Sequence, residues 1–441
     1  MSKSKIQPRL LKGFRDYLPQ AALAREQMIR TLQDVFASFA FTPIDTPALE
    51  YAEILLGKGS EETDRQLFRF EDNGGRDVAL RFDLTVPLAR FAAMYTNDLG
   101  SPFKRYHIAP VWRAEKPQRG RFREFIQCDF DILGAASAQS DAEIVAVIHS
   151  ALEELGVAHK IRINNRKLLN GLLETLGVSG SSAAVLRAID KLDKQGEEAV
   201  RRELSDTAGL DSDQASRLME FLQISESSPS AAIEAASQIV GRSEIGMLGA
   251  SEMKAVIDNT EAYGIPAECL EIDLRIARGL DYYTGTVFET LCSELPDIGS
   301  ICSGGRYDNL VEVYSNRQLP GVGASIGLDR LMAALEELEK LSARSTPADV
   351  LITIGSEAAV APSCALASKL RQSGLNAYLY PEVKKLANQL KFANRIEVPF
   401  AIIASDEQLS VGKCSLKDMQ SGEQLDDLTF DIAAEKLLAR R

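Results

Sequence analysis

Residues 105–134 read RYHIAPVWRAEKPQRGRFREFIQCDFDILG, and this stretch decides the fold of the N-terminal part of the chain. Both of its ends are rich in aromatic and β-branched residues, which favour strands. Between them lies EKPQRGR, a basic segment whose proline and glycine predict a turn. The stretch therefore predicts two neighbouring strands joined by a charged turn.

The residues before this stretch predict further parts of the same sheet. Apolar residues recur at helical spacing from Ala21 to Phe39, and the pattern stops at FTPIDTPALE, where two prolines favour an extended path. Residues 65–85, RQLFRFEDNGGRDVALRFDLT, place a D-N-G-G turn between two apolar runs, which predicts a β-hairpin. The first region thus reads as a helix followed by a mixed or antiparallel sheet.

The rest of the chain divides by composition. Residues from about Asn170 to Asp258 are rich in Ala, Ser, Leu, Glu and Lys, which predicts a helical insertion. Strand patterns return near Cys269 and end in LPGVGASIGLDRLMAALEEL, which predicts a strand, a turn of small residues and a helix. Beyond a linker near LEKLSARSTPAD, apolar runs alternate with helical patterns. The predicted fold is α+β with an antiparallel sheet and a helical insertion, followed by a C-terminal α/β domain with a largely parallel sheet.

Length and composition limit the class of protein. A chain of 441 residues, 45% of them hydrophobic, exceeds one core and predicts two or three domains. No apolar run approaches about 18 residues and the N-terminus carries charges where a signal core would lie, so we expect a cytoplasmic protein without a membrane segment. The six cysteines form no C-x-x-C pair, which argues against a disulfide framework and a zinc cluster. We expect reduced, mostly buried thiols and no metal held by protein ligands.

Charge is distributed unevenly. The formal net charge is −13, yet residues 101–125 contain seven basic and two acidic residues. A second basic cluster comprises Lys384, Lys385, Lys391 and Arg395. Two basic patches on an acidic body suit a polyanion bound at defined places, although solvated charge is the alternative for either patch alone.

Arginines are the strongest candidates for chemistry. The chain has no P-loop, no G-x-G-x-x-G, no H-E-x-x-H and no G-x-S-x-G, and its three histidines have no evident acid or cysteine partner. Arg113, Arg121, Arg278 and Arg330 lie beside strands or turns with aromatic or glycine neighbours. A guanidinium grips phosphate or carboxylate with two parallel hydrogen bonds, so convergence of these arginines would suit a phosphorylated ligand. Surface solvation is the alternative for any one of them.

Three motifs together carry a family resemblance. Arg113-Ala-Glu115 with Arg121 and Phe125, and G-x-G-x-x-x-G-x-D-R from Gly321 to Arg330, resemble motifs 2 and 3 of the class II aminoacyl-tRNA synthetases. The helix ending in TPALE resembles their motif 1. RGLDYYTGTVFE, residues 278–289, resembles the segment specific to the histidyl-tRNA synthetases, and LRFDLT, QCDFD and SGGRYD resemble its pocket segments. The resemblance implies a catalytic domain at 1–335 with the insertion at about 170–260, a linker at 336–347, and an anticodon-binding domain at 348–441.

The resemblance also implies an activity and its residues. Members activate L-histidine with ATP, accompanied by Mg²⁺, and transfer it to tRNA(His); they are homodimers through motif 1. Arg113 and Arg278 would orient the reacting carboxylate and α-phosphate and are the implied catalytic residues. The histidine site would comprise Asp83, Leu84, Thr85, Arg113, Gln127, Asp131, Arg278, Tyr282, Tyr283 and Tyr307. Arg113, Glu115, Arg121, Phe125 and Arg330 would bind ATP, and Gln118, Lys384, Lys385, Lys391 and Arg395 would contact tRNA.

The sequence departs from the bacterial pattern in two places and leaves two other functions open. Phe82-Asp83-Leu84-Thr85 stands where many bacterial members read P-E-G-T, and Asp131 stands where they have glutamate. A regulatory subunit of ATP phosphoribosyltransferase would share the fold but should lack the C-terminal domain and an intact R-G-L-D-Y-Y-T-G. A stand-alone tRNA-binding module would leave the pocket acids unexplained.

Overall fold

The computed structural model describes residues 6–57, 65–226, 228–276, 282–341 and 344–440, without the side chains of residues 193 and 194. The chain divides into two compact units, one formed by Met1–Arg15 and Met28–Lys340 and the other by Asp16–Gln27 and Leu341–Arg441. None of the helices in the described ranges is long and apolar enough to cross a bilayer.

Helices and strands alternate irregularly up to residue 340. In chain order the elements are α1 (Pro19–Ser38), β1 (Thr42–Pro43), β2 (Leu49–Tyr51), α2 (Ala52–Leu56), β3 (Phe68–Glu71), β4 (Asp77–Leu80), α3 (Thr85–Tyr95), β5 (Phe103–Trp112), β6 (Glu124–Leu133), α4 (Ala138–Glu154), β7 (His159–Asn165), α5 (Arg166–Thr175), α6 (Ser182–Ile189), α7 (Leu192–Gln195), α8 (Glu197–Ala208), α9 (Ser212–Leu222), α10 (Pro229–Val240), α11 (Glu244–Ala262), β8 (Leu270–Ile272), β9 (Thr286–Cys292), β10 (Ser300–Tyr307), β11 (Gly321–Gly327) and α12 (Leu328–Glu337).

An eight-stranded sheet forms the centre of the first unit. Its order is β1-β5-β6-β11-β10-β9-β7-β8, and its pairs are antiparallel except β1 with β5 and β7 with β8. Strand β5 alternates buried and half-buried residues, whereas β6 is buried on both faces from Ile126 onward. Phe36 of α1 packs on Phe130 of β6, with ring centroids 5.0 Å apart, and covers one face of the sheet. The predicted antiparallel sheet is confirmed, with β6 near its middle.

The predicted hairpin is confirmed, but it belongs to a separate sheet. Strands β3 and β4 pair antiparallel in a three-stranded sheet of order β2-β4-β3. The Asp72 carboxylate accepts hydrogen bonds from the backbone N–H groups of Gly74 and Arg76 and closes the turn. The chain leaves β4 through Arg81 to Thr85, so this small sheet positions the first residues of α3.

Every described element from Arg166 to Ala262 is a helix, as the composition predicted. These helices are inserted between β7 and β8, which pair in parallel with Ile161 opposite Leu270. The sequence did not predict β7 as a strand. The stretch GVGASIG was expected to contain a turn of small residues; instead its glycines lie within β11, and α12 begins directly after Gly327.

The second unit contains a mixed five-stranded sheet with two parallel and two antiparallel strand pairs. The prediction of a largely parallel sheet is therefore wrong for two of the four pairs. Its elements are β12 (Val350–Ile352), α13 (Val360–Gln372), β13 (Ala377–Leu379), α14 (Leu386–Arg395), β14 (Phe400–Ile403), α15 (Asp406–Ser410), β15 (Lys413–Asp418), β16 (Gln424–Thr429) and α16 (Phe430–Leu438).

Connection lengths explain the direction of these strands. Strand β12 pairs in parallel with both β13 and β14, and each of these strands follows a helix. Strand β15 pairs antiparallel with both β14 and β16. A parallel return needs a crossover of a dozen or more residues. Only nine residues separate Ile403 from Lys413, and five separate Asp418 from Gln424, so both connections are too short for a crossover. Val350 and Ile352 pack into one core cluster and Leu351 into another, consistent with a sheet covered on both faces.

Candidate active site

A cavity of about 790 Å³ opens in the first unit over the large sheet. The strands β6, β9, β10 and β11 supply its floor, while the turns after β4 and between β5 and β6 supply its sides. Its lining includes ten residues that the sequence analysis assigned to histidine or ATP: Asp83, Thr85, Arg113, Glu115, Arg121, Phe125, Gln127, Tyr282, Tyr283 and Arg330. The structure therefore gathers residues from widely separated segments around one space.

Asp83 provides an anionic group in the cavity wall. Its Oδ1 accepts a hydrogen bond from the backbone N–H of Val86 at 3.1 Å, which fixes the side chain at the start of α3. Its Oδ2 is buried without a hydrogen-bond partner. Burial raises the pKa of Asp83 to about 6, although the Val86 N–H and the charge of Arg113 oppose the shift. A cationic ligand group at Oδ2 would restore the interaction that the carboxylate lacks.

Asp131 lies behind the cavity wall. The carboxylate is 3% exposed, accepts a hydrogen bond from the Tyr307 hydroxyl, and pairs with Arg105 at 2.7 Å. The sequence analysis did not assign Arg105 to the site, although β5 places it directly opposite Asp131 in the sheet. Asp131, Leu84 and Tyr307 are the described members of the predicted histidine site that do not line the cavity.

Two glycines of β11 make room for this buried pair. A Cβ on Gly323 would lie 2.0 Å from Oδ1 of Asp131, and one on Gly321 would lie 2.4 Å from the Tyr307 ring. Neither distance is sterically possible. The first two glycines of G-x-G-x-x-x-G-x-D-R are therefore required by the approach of Asp131 and Tyr307.

Gln127, Asp129 and Asp131 alternate along β6 and so share one face of the sheet. The Gln127 amide donates to the Ser325 hydroxyl at 2.9 Å, and its carbonyl oxygen is buried without a partner. Burial raises the pKa of Asp129 to about 7 and also raises that of Asp131, while Arg105 opposes both shifts. Asp129 was not among the residues predicted from the sequence, although the two-residue strand period places it on the same face, between Gln127 and Asp131.

Tyrosines form the remaining wall at this end. The rings of Tyr282 and Tyr283 meet edge to face with centroids 5.0 Å apart, and Tyr282 contacts Tyr307 at 5.8 Å. Burial raises the pKa of the Tyr283 hydroxyl, with the nearby Asp131 as the next cause. Tyr283 therefore stays protonated and can donate or accept a hydrogen bond.

Three arginines, Arg113, Arg121 and Arg330, also line the cavity. The Arg113 guanidinium lies 5.3 Å above the Phe125 ring, and its Nε donates to the Phe82 carbonyl at 3.0 Å. Burial, together with the positive charges of Arg121 and Arg113, lowers the pKa of Arg330 to about 10. Mutual repulsion of three cations is relieved by an anion placed among them, as a polyphosphate would be.

Asp329 holds the helix that carries Arg330. The backbone N–H of Ile126 donates to Asp329 Oδ2 at 2.7 Å, and Arg15 contacts Oδ1 at 3.3 Å. This joins the start of α12 to β6, on which Phe125 and Gln127 lie. Both residues of the Asp-Arg pair line the cavity, and Asp329 also anchors the helix.

Family models cover most of the chain. Residues 13–331 match the model described as histidyl-tRNA synthetase, and residues 349–440 match the model described as anticodon binding domain.

The chain belongs to the histidyl-tRNA synthetase family.

Individual relatives are similar to this chain over nearly its full length. The histidine–tRNA ligase of Rhodopirellula baltica is 50% identical over 422 residues, covering 96% of this chain and 95% of that protein. The enzyme of the same name from Wolinella succinogenes is 47% identical, covering 98% of each chain. The crystal structure of histidyl-tRNA synthetase from Nostoc sp. PCC 7120 superposes with a TM-score of 0.89 at 36% identity, covering 99% of this chain and 100% of that one.

A structure from Bacillus halodurans bears on the alternative function. It is described as an ATP phosphoribosyltransferase regulatory subunit/histidyl-tRNA synthetase, and it matches 88% of this chain at 27% identity with a TM-score of 0.73.

The predicted fold class and family are confirmed by the family models and these matches. The resemblance of RGLDYYTGTVFE, residues 278–289, thus identified the family correctly.

Several predicted residues remain outside this geometry. Arg278, an implied catalytic residue, lies outside the described residues. Gln118 bonds through its backbone to Arg121 at the tip of the turn between β5 and β6. Lys384, Lys385, Lys391 and Arg395 are exposed around α14 of the second unit, where Lys384 contacts Glu382 at 2.6 Å.

The sequence overstated the free charge of residues 101–125 and overlooked partners of the histidines. Arg105 is buried against Asp131, and Lys104 pairs with Glu143, so neither is available to a polyanion. His107 does have an acidic partner, since its Nε2 lies 3.0 Å from Asp45. Burial lowers the pKa of His107 to about 4, so the imidazole is neutral.

Proposed function

We propose that this chain is a histidine–tRNA ligase that converts L-histidine and ATP to histidyl-adenylate and pyrophosphate, then transfers the histidyl group to the 3′ end of tRNA(His). The observation that supports it most directly is one cavity whose lining combines Asp83 and two tyrosines with three arginines, Arg113, Arg121 and Arg330. The carboxylate and tyrosines suit an amino acid, and the arginines suit a nucleoside triphosphate. The family match extends through the anticodon-binding region, which the regulatory-subunit alternative should lack.

The histidine end is assigned as follows. Asp83, Thr85 and Gln127 receive the α-ammonium group, because the unpartnered oxygens of Asp83 and Gln127 are acceptors. Tyr283 reads one ring nitrogen from the cavity wall. Asp131 reads the other nitrogen in this assignment, and it would do so through the Tyr307 hydroxyl unless its side chain moves. Tyr282 and Tyr307, whose rings pack edge to face, build the pocket wall, and Leu84 is buried beside Asp83.

The ATP end requires only positioning and charge. Glu115 contacts adenine, Phe125 stacks beneath it, and Arg121 and Arg330 bind the γ-phosphate. Arg113 and Arg278 hold the histidine carboxylate against the α-phosphorus. A carboxylate oxygen then forms the new bond to phosphorus while the bond to pyrophosphate breaks, and the arginines stabilise the charge that builds on the phosphoryl oxygens. The attacking group is already ionised, so no side chain acts as a base.

Mg²⁺ enters as part of the ATP substrate. Oxygen ligands are those the ion prefers, and the cavity wall supplies the carboxylates of Glu289 and Asp297. These residues fit a magnesium-bound triphosphate, which would shield the phosphate charges.

Transfer to tRNA involves both units. Lys384, Lys385, Lys391 and Arg395 would grip the anticodon stem-loop, and Gln118 at the turn between β5 and β6 would meet the acceptor end. We keep the domain division at 1–335, 336–347 and 348–441 as part of this proposal. The enzyme would work in the cytoplasm, where charged tRNA is used.

The homodimer proposal rests on motif 1 and on exposed apolar residues next to it. Leu49, Tyr51 and Phe70 of the small sheet are 40%, 50% and 48% exposed, and Met94 and Tyr95 at the end of α3 are also exposed. An apolar patch of this kind suits a protein partner.

Pyrophosphate exchange tests the activity. The purified protein should incorporate labelled pyrophosphate into ATP only when L-histidine is present, and should then charge tRNA(His). Histidine binding without exchange would favour the regulatory-subunit function instead. Charging of tRNA with a different amino acid would refute the assignment of the substrate.

A further inference from the structure

The fold brings two histidines and a cysteine together outside the lining of the cavity. His149 lies on α4, His159 begins β7, and Cys269 precedes β8. Their ligand atoms all lie within 4.8 Å of one another. In sequence they are 10 and 110 residues apart, so no spacing motif reveals them. No zinc cluster was expected from the sequence because it has no C-x-x-C pair. The present cluster instead combines two histidines and one cysteine from distant segments.

The geometry points to a zinc site formed by His149, His159 and Cys269, and we propose that this protein binds one Zn²⁺ there. Imidazole and thiolate are the donors that Zn²⁺ prefers, and three protein ligands plus a fourth group complete its tetrahedron. The His149 Nδ1 and His159 Nε2 atoms are 3.0 Å apart. Tetrahedral zinc with bonds of 2.0–2.1 Å sets two nitrogens about 3.3 Å apart, so only a small opening is needed.

One histidine is already oriented as a ligand. Nδ1 of His159 donates to the Val157 carbonyl at 2.8 Å, which leaves the Nε2 lone pair directed at the cluster. A backbone carbonyl of this kind is the usual outer partner of a metal-bound imidazole. His159 is 6% exposed, whereas His149 and Cys269 are half-buried, so the ion has a route from solvent.

Charge and proton balance are consistent with a dication. Glu153 lies one helical turn after His149, and its negative charge acts on both His159 and Cys269. Glu153 or a water molecule would supply the fourth ligand. On binding, the Cys269 thiol releases its proton to solvent and the thiolate bonds to zinc. His149 takes the tautomer protonated at Nε2, its Nδ1 proton being exchanged with solvent, so that His149 Nδ1 and His159 Nε2 both bind the metal in place of their hydrogen bond.

The position of the cluster defines what the ion would do. His159 and Cys269 lie on the two chain segments that enter and leave the helical insertion, and α4 packs beside them. A zinc ion would therefore join the segments on either side of the insertion without touching the cavity. Its loss should lower stability but leave adenylation intact.

Cobalt titration tests this proposal with the full chain. The protein is treated with a chelator, and Co²⁺ alone is added, because tetrahedral cobalt bound to thiolate absorbs in characteristic bands. We expect one Co²⁺ per chain with a thiolate charge-transfer band that Zn²⁺ abolishes by competition. Cys269→Ser should remove this band, and His149→Gln should weaken binding at least about tenfold, the loss typical even of an outer-shell partner. Cys364→Ser, which alters the exposed cysteine, is the matched control and should change nothing.

Defined outcomes would overturn the proposal. They are no thiolate band in the wild-type protein, a band that persists in Cys269→Ser, or a band lost in Cys364→Ser. Circular dichroism and pyrophosphate exchange establish that each variant is folded. If Cys269→Ser does not fold, the His149→Gln variant tests the proposal instead, because an unchanged affinity for Co²⁺ in that variant would refute the site.

Discussion

Replacing Asp83 by asparagine should make the unliganded protein more stable while weakening histidine binding. Asp83 is 1% exposed, and its Oδ2 has no partner. The variant keeps the acceptor for the Val86 N–H and removes only the buried charge. The buried charge of Asp83 would thus lower the free energy of unfolding of the unliganded protein, and binding of the substrate ammonium would offset this loss.

The magnitude follows from the pKa. Burial raises the pKa of Asp83 from 3.8 to about 6. Because the folded value is the higher one, the stability that this carboxyl contributes is complete below pH 3.8 and is lost as the pH rises through about 6. A difference of about two units corresponds to roughly 3 kcal/mol at pH 8, and to about half of that at pH 5. Asp83→Asn should recover up to this amount.

Urea unfolding at pH 5 and pH 8, at one protein concentration, measures the effect. The advantage of Asp83→Asn over wild type should be larger at pH 8 than at pH 5. Asp98→Asn, a change at an exposed aspartate, should show no such difference. A variant that is no more stable than wild type at pH 8 would refute the reasoning about buried charge.

Kinetics provide the second half of this test. A hydrogen bond to a charged group contributes about 1.5–3 kcal/mol, so the KM for histidine in pyrophosphate exchange should rise roughly 10- to 150-fold in Asp83→Asn. The KM for ATP should change much less, because Asp83 is not among the residues assigned to ATP. An unchanged KM for histidine would mean that Asp83 does not receive the ammonium group.

Three further predictions concern other parts of the molecule. Arg113→Ala should lower kcat for adenylation about 10²- to 10³-fold and raise the KM for histidine by a much smaller factor, because the contact to the α-phosphate acts mainly in the transition state whereas the contact to the carboxylate is also made in the ground state; equal changes in both would make Arg113 a simple binding residue. The double change Lys391→Ala with Arg395→Ala should leave pyrophosphate exchange intact but weaken tRNA binding and reduce the slope of log affinity against log salt by about two; full affinity would move the anticodon contact elsewhere. Light scattering at micromolar concentration should give the mass of a dimer, and a monomer would refute the motif 1 interface.

Local patterns predicted those parts of the fold that short-range physics determines. The turn residues Asp72 to Gly75 and the helical spacing before Phe39 correspond to elements close to the predicted positions. The direction of β15 and β16 was missed because alternating helix and strand patterns were taken to imply crossovers. The short connections before Lys413 and Gln424 determine those directions instead.

The sequence indicated candidate residues for the site one at a time, but not the contacts between them. Motifs identified Asp131 and Tyr307, whereas their contact with each other and with Arg105 depends on the register of β5, β6 and β11. The same limit applies to His149, His159 and Cys269, which meet only after β7 and β8 pair. Side-chain pairs from distant strands become visible only when the pairing of those strands is known.

The central strand of the large sheet also has a consequence for synthesis of the protein. Strand β6 ends at Leu133, but its partner β11 begins only at Gly321, about 190 residues later. At about 5–20 residues per second, a ribosome needs roughly 10–40 seconds to produce that partner. During this interval the β11-facing edge of β6, with Cys128, Phe130 and Ile132, is an apolar strand edge without its native neighbour. Such an edge invites pairing with other chains, so the nascent protein has a period of aggregation risk that ends only when β11 leaves the ribosome.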